Sequence, residues 1–307
     1  MTLKQLEYVV ALDTYRHFVT AAEKCFVTQP TITTQLKNLE EEIGLSIFDR
    51  SLQPMTPTDL GKVFIIKAKS ILQETNDLKD LVNKELNSIN GKYKIGVIPT
   101  VSPYIIPLIS GSFSEKYPNT VIEIEELKTL DIIRALKNKE IDLGILVTPI
   151  NESHIREIKL YNEPFVFYAN KNHFLSDKKI ISVADVEKLK DIWLLNSGNC
   201  FRTQVLNICP KSSEGKNIQF QSGSIEALKK MVDNYGGFTL VPELAITEEN
   251  PGCYIHFSNP KPVREVSIVT HHSYSKQAFI DAIRTEILSI IPPNFEKNEH
   301  FIKVKWR

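Results

Sequence analysis

No stretch of the 307-residue chain approaches 18 consecutive apolar residues, so nothing in it reads as a bilayer-spanning helix. Its start, Met1-Thr2-Leu3-Lys4-Gln5-Leu6-Glu7, lacks the apolar run and small-residue cleavage site of a secretory leader. The expected location is the cytoplasm, without membrane contact. Cysteine is scarce: Cys25, Cys200, Cys209 and Cys253 are the four. That is too few for the disulfide scaffold of a small secreted domain. There is no C-x-x-C pair and no metal spacing among the histidines, so no metal and no other cofactor is expected. Charge of one sign is missing too. The 37 Lys and Arg match the 37 Asp and Glu, and residues 1–70 carry eight of each. A broad basic field is excluded, and any nucleic-acid contact must come from a local patch.

What is present, 42% hydrophobic and 24% charged residues, is the composition of a globular protein. The length exceeds one ordinary core and suits two or three domains. Leu3, Leu6, Val9 and Val10 recur at helical spacing, and Phe18, Ala21 and Ala22 continue an apolar face after a break near Thr14. A third helix follows, with Thr28 at its cap and Pro30 in the first turn, where a missing N–H costs nothing. Ile32, Leu36, Leu39 and Ile43 form its buried face. The N-terminal turns and outer face carry Thr28, Gln29, Pro30, Thr31, Thr33, Thr34, Gln35 and Lys37. Short polar side chains at the start of a helix, with a cation near, are what base edges and phosphates require. An ordinary solvated helix would more typically carry Glu and Lys here. Two short strands around Asp49-Arg50 and Met55-Thr56 predict a wing. Arg50 at its base either meets a phosphate or ties the wing to an acidic neighbour.

A helix is predicted over about 58–89, capped by Thr58. Phe64, Ala68, Ile71, Thr75, Leu78, Val82 and Ile89, all but Thr75 apolar, lie near a heptad seam, which argues for a homodimer. From Lys92 the texture changes to strands alternating with helices. This rhythm predicts open, mostly parallel sheets with helices on both faces. The expected fold is an all-α winged helix-turn-helix (residues 1–58), a linker helix (59–90) and an α/β sensing domain (91–307). That last domain should form two Rossmann-like lobes, like those of periplasmic solute-binding proteins. Lobe I is assigned about 91–162 and 268–307, and lobe II about 163–267. The tail after Pro292-Pro293 is polar and carries no reading.

Ligands of such sheets bind beyond the strand ends, at helix N-termini. Thr100, Thr129, Cys200 and Ser224 stand at such turns. For Ser224 a plain cap is favoured; for Thr100 and Thr129 a cap and a ligand role stand about even. A helix N-terminus and the nearby Arg202 both favour a thiolate at Cys200, which is therefore expected to be partly ionised and reactive. Cys209 lies nine residues on, before Pro210. An intact helix would hold the two roughly 13 Å apart, whereas a disulfide needs Cα atoms within roughly 7 Å. A bridge would therefore require the segment to unwind. Cys25 and Cys253 read as small buried residues.

Leu6-Glu7-Tyr8-Val9-Val10-Ala11-Leu12, Arg16-His17-Phe18, Ala21-Ala22 and Thr28-Gln29-Pro30-Thr31 together resemble the DNA-binding head of the LysR-type transcription regulators. Ile98-Pro99-Thr100-Val101, Gly198-Asn199-Cys200-Phe201-Arg202 with Cys209, and Leu240-Val241-Pro242 resemble the sensing domain of that family's peroxide-responsive branch. The likeness covers about residues 1–291. It implies operator DNA, a homodimer or homotetramer, and RNA polymerase as partners, with hydrogen peroxide as signal and no enzymatic activity. It also implies that Cys200 is oxidised to sulfenic acid, that Cys209 then closes a disulfide, and that Thr100, Thr129 and Arg202 hold peroxide. Three positions depart from the branch: Asn199 and Gln219 stand where His is common, and Thr203 where Asp is. Two alternatives remain: a regulator sensing a small anionic metabolite in the crevice, and a thiol peroxidase, against which the head argues.

Overall fold

The computed structural model describes residues 1–50, 54–84, 89–210, 220, 222–247, 252–295 and 300–306. The chain divides into two compact units, Met1–Ser88 and Ile89–Arg307.

In the first unit α1 (Leu3–Tyr15) starts from a capping box. Thr2 accepts from Gln5 N–H, and the Gln5 side chain accepts from Thr2 N–H. Helices α2 (Phe18–Lys24) and α3 (Gln29–Ile43) follow. Thr28 occupies the cap of α3, yet its hydroxyl bonds the Thr31 hydroxyl and caps no N–H. Gly44 ends α3 in the left-handed region, at φ 68°. Ile32, Leu36 and Leu39 pack with Val9, Leu12, Ala21 and Ile47 in one core. The wing strands β1 (Phe48–Asp49) and β2 (Thr56–Pro57) pair antiparallel. Helix α4 (Asp59–Lys84) opens with Thr58 accepting from Gly61 N–H at 2.9 Å. A side chain at Gly61 would sit 2.0 Å from the Ile47 carbonyl oxygen, so only glycine lets α4 approach the wing so closely. The end of the helix predicted beyond 84 lies outside the described residues. The expected seam is also revised. Ile65 joins the head's own core and Ala68 is buried, with α4 lying along α1. Ile71 and Leu78 of the expected seam are exposed, together with Leu60, Val63 and Ile66 on the same helix.

The second unit runs β3 (Gly91–Val97), α5 (Ser102–Lys116), β4 (Thr120–Glu126), α6 (Thr129–Lys137), β5 (Leu143–Thr148), β6 (Ile155–Ala169), β7 (Ile180–Ile181), α7 (Val183–Val186), α8 (Cys200–Ile208), α9 (Ile225–Tyr235), β8 (Phe238–Pro242), β9 (Cys253–Phe257), β10 (Lys261–His271), α10 (Gln277–Ile290) and β11 (Phe301–Lys303). Two hydrophobic cores result. One gathers Ile95, Val97, Ile105, Ile132, Ile145, Val266, Phe279 and Ile283; the other gathers Phe165, Phe167, Val205, Leu228, Leu240 and Ile255. They correspond to two lobes.

The sheet order is β4-β3-β5-β10-β6-β9-β7, with β8 on β6 and β11 on β10. The expected mostly parallel sheet is corrected. β10 runs antiparallel to both β5 and β6, and β6 antiparallel to β8 and β9. β6 is the reason. It pairs with β10 over residues 155–164 and with β8 and β9 over 165–169, so one long strand serves both lobes. An unbroken buried stretch, Leu160–Ala169, shows no alternation that would reveal the crossing. Ile192 adds an isolated bridge to Phe238.

Candidate functional site

Asn199 stands at the N-cap of α8, its Oδ1 accepting from Phe201 N–H at 3.0 Å, which places Cys200 in the first helical position. Cys200 is 6% exposed and packs in the lobe I core; Cys209, at the other end of α8, is 0% exposed and packs in the lobe II core. All four cysteines are thiols. Burial pushes the Cys200 thiol above its ordinary range. It is opposed in turn by the Thr129 hydroxyl, the Arg264 guanidinium and the amides of Phe201 and Cys200. The expected partly ionised thiol is therefore corrected: desolvation outweighs the helix N-terminus. Thr129 is buried beside the sulfur, and its Oγ1 makes no hydrogen bond of ordinary geometry.

The cation beside the thiol is also corrected. Arg202 donates Nη1 to the Leu195 carbonyl at 2.8 Å. The charge acting on Cys200 belongs to Arg264, which is 1% exposed on β10. Its Nε and Nη2 meet Glu163 Oε2 at 2.8 and 2.7 Å, across directly paired positions of β6 and β10. Its Nη1 donates to Thr100 Oγ1 at 2.9 Å and its Nη2 to Thr100 O at 2.8 Å. The guanidinium lies 5.3 Å from the Phe201 ring centroid. Thr100 is thus tied to the cation, and Glu163, with its carboxyl raised by burial and pulled back by Arg264, anchors both. Glu163 and Arg264 carry no local signal in the sequence, since each lies beside another polar residue, Asn162 and Glu265, in a segment of mixed polarity.

On the head, Gln29, Pro30, Thr31, Thr34 and Lys37 are exposed along the start and outer face of α3, as is Thr28. Thr33 is half-buried and donates to the Gln29 carbonyl; the Gln35 Oε1 accepts from Gln5 Nε2 at 3.2 Å. Of the two readings of Arg50, the structure favours the tie. Its Nη2 meets Glu40 Oε2 at 2.7 Å, and Glu40 Oε1 accepts from Ile47 N–H and Phe48 N–H. A hollow of about 470 Å³ brings Gln29 and Arg50 together with Arg16 and His17.

This head matches the family described as "Bacterial regulatory helix-turn-helix protein, lysR family" over residues 3–62, and residues 87–288 match "LysR substrate binding domain". The chain belongs to the LysR family. It is a DNA-binding transcription regulator of that family, not an enzyme. Similar LysR-family members include the "Hydrogen peroxide-inducible genes activator" of Haemophilus influenzae. That protein is 30% identical over 95% of this chain and 99% of its own length. The "DNA-binding transcriptional dual regulator OxyR" of Escherichia coli is 28% identical over 97% of this chain and 98% of its own. Among solved structures, a full-length OxyR substitution variant from Pseudomonas aeruginosa superposes with a TM-score of 0.80 at 29% identity, covering 94% of each chain.

Within this LysR-family fold, the three positions that differ from the peroxide-responsive branch fall in different places. Asn199 caps α8, Thr203 is exposed on it, and Gln219 lies outside the described residues. Among the described residues no His, Cys, Asp and Glu group is arranged to hold a metal, and no helix is long and apolar enough to cross a membrane.

Proposed function

We propose that this LysR-family regulator senses hydrogen peroxide through a disulfide between Cys200 and Cys209. The observation that carries the reading is the placement of Cys200. Its buried sulfur sits at a helix N-terminus, against the Thr129 hydroxyl and within the field of Arg264. A peroxide entering there would find the Thr129 hydroxyl and the Thr100–Arg264 pair as hydrogen-bonding groups, with Arg264 in the role first expected of Arg202. Arg264 and the two amides stabilise negative charge as the thiol gives up its proton. The thiolate attacks one peroxide oxygen, the O–O bond breaks, and the departing hydroxide takes up that proton as water. Cys200 is left as sulfenic acid. The Cys209 sulfur then attacks the Cys200 sulfur. The S–S bond forms, the S–O bond breaks, and a second water leaves with the Cys209 proton. Two thiols lose two electrons and hydrogen peroxide becomes two waters.

Geometry makes the second step a conformational change. With α8 intact, the two Cα atoms are roughly 13 Å apart, beyond the roughly 7 Å limit of a disulfide. The thiols also sit in different cores, so closing the bridge withdraws a residue from one of them. The sensing domain thereby has two discrete arrangements, which peroxide biases. Operator contact would follow through a homodimer or homotetramer built on α4, with RNA polymerase as the further partner.

Peptide mapping after sub-stoichiometric peroxide should recover a Cys200–Cys209 bridge. Cys209→Ser should stop at the Cys200 sulfenic acid, and Cys200→Ser should abolish the peroxide-dependent change in operator footprint. Free thiols at both positions after peroxide would overturn the reading and leave a crevice-bound metabolite as the signal.

A further inference from the structure

Helix α8 is fastened at a place that the thiol chemistry does not use. Gln204 is fully buried, and its Nε2 donates to the Val304 carbonyl at 2.7 Å; Asn207 Nδ2 donates to the Lys305 carbonyl at 2.8 Å. Cys200, Gln204 and Asn207 are spaced by four and three, so they share one face of the helix. The two acceptors are consecutive carbonyls just beyond β11. That strand pairs parallel with β10, matching Lys261 to Phe301 and Val263 to Lys303. Val304 N–H donates to Val263 O at 2.9 Å, and Lys303 Nζ meets Glu265 Oε2 at 2.5 Å. The tail thus grips β10 on either side of Arg264 and grips α8 on the face of Cys200. Val304 packs on the lobe II core and Trp306 on the lobe I core.

We infer that the C-terminal segment His300–Trp306 is a strap that holds α8 helical. On the switch reading above, it therefore sets how readily Cys209 reaches Cys200. Opening α8 pulls both amide donors off the tail and strands two carbonyls, a cost added to the helix's own hydrogen bonds. The strap opposes the second oxidation step and leaves the first alone, since Cys200 reacts with peroxide while α8 is still closed.

Two full-length surface variants test this from opposite sides. Asn207→Ala removes one helix-to-tail bond and raises helix propensity, so a purely local effect would slow the opening of α8. Lys303→Glu sets a carboxylate against Glu265 and pries the tail from β10. In the reduced protein, amide exchange across 204–209 should accelerate about twofold in Asn207→Ala, the population change of one typical hydrogen bond less the gain in helix propensity. It should also accelerate in Lys303→Glu. After one equivalent of peroxide, disulfide closure should quicken by a similar factor, while sulfenic acid formation in a Cys209→Ser background stays unchanged. Exchange that is unchanged or slower in both variants overturns the strap, whether or not the bridge forms. Faster exchange in both, with no bridge in the unsubstituted chain, supports the strap and overturns the switch.

Discussion

Arg264→Met separates the structural from the chemical role of the buried cation. The substitution keeps much of the side chain's length and removes three hydrogen bonds, one to Glu163 and two to Thr100, together with the Nη2–Glu163 ion-pair contact. Among the described residues this leaves the Glu163 carboxylate, 0% exposed, a single hydrogen-bond donor, the Leu244 N–H at 3.1 Å. Removing one partner of a buried pair costs about 3–5 kcal/mol. Burial already raises Glu163, so taking up a proton relieves part of that cost, and we expect the loss near the low end, about 3 kcal/mol. For a unit of this size each kcal/mol lowers Tm by about 2–4 °C, giving a drop of about 6–12 °C. Adding Glu163→Gln removes the orphaned charge, keeps an acceptor for Leu244, and should restore most of the stability. Reactivity should not follow. In a Cys209→Ser background the sulfenic acid should form on the order of 100-fold more slowly in both the single and double variants, the usual cost of one lost donor aimed at developing charge. Urea unfolding and stopped-flow mixing with peroxide give the two readouts. A double variant that regains stability and reacts at the wild-type rate would refute a chemical role for Arg264. A single variant within about 1 kcal/mol of wild type would refute the energetics argued for the pair.

Burial holds the Cys200 thiol above its ordinary range, so thiolate is the minority near neutrality and its share grows as pH rises. The sulfenic acid should therefore form faster at each step from about pH 6 to about pH 9, and a rate that levels off below about pH 7 would contradict the shift. Leu78→Glu, on the exposed row of α4, should yield monomers with weak operator affinity, since a symmetric dimer is needed to span two half-sites roughly 34 Å apart. Sedimentation of the full chain decides; an unchanged dimer would remove α4 as the interface. Gln29→Ala should cost about 1–3 kcal/mol of discrimination between operator and random duplex in gel shifts, while Gln35→Ala should cost less because Gln5 already occupies its Oε1. Equal losses would contradict that ranking.

Local patterns carried most of the head. The apolar spacing of Ile32, Leu36 and Leu39, the cap position of Thr28 and Pro30 in the first turn place α3 from sequence alone, because helix periodicity and cap chemistry act over a few residues. The same locality picks out Cys200 and Cys209 at the ends of α8. Local pattern also suggested the wrong cation. Arg202 is two residues from Cys200 in the chain but bonds Leu195, whereas Arg264 reaches the thiol from a strand 64 residues further along. Its partner Glu163 and its anchor Thr100 come from two further elements, so no window of sequence contains the site. The crossing of β6 between lobes and the docking of the tail on α8 were hidden likewise. Uniform burial erases the alternation that marks a strand's faces, and a polar tail declares no partner until folding sets carbonyls before Gln204 and Asn207. The sequence by itself determined the head's helices, the cap position of α3 and the two thiols, which depend on neighbours in the chain. The charge beside the thiol, the ionisation of that thiol and the fastening of α8 were decided by tertiary structure, because electrostatics and desolvation depend on distance in space.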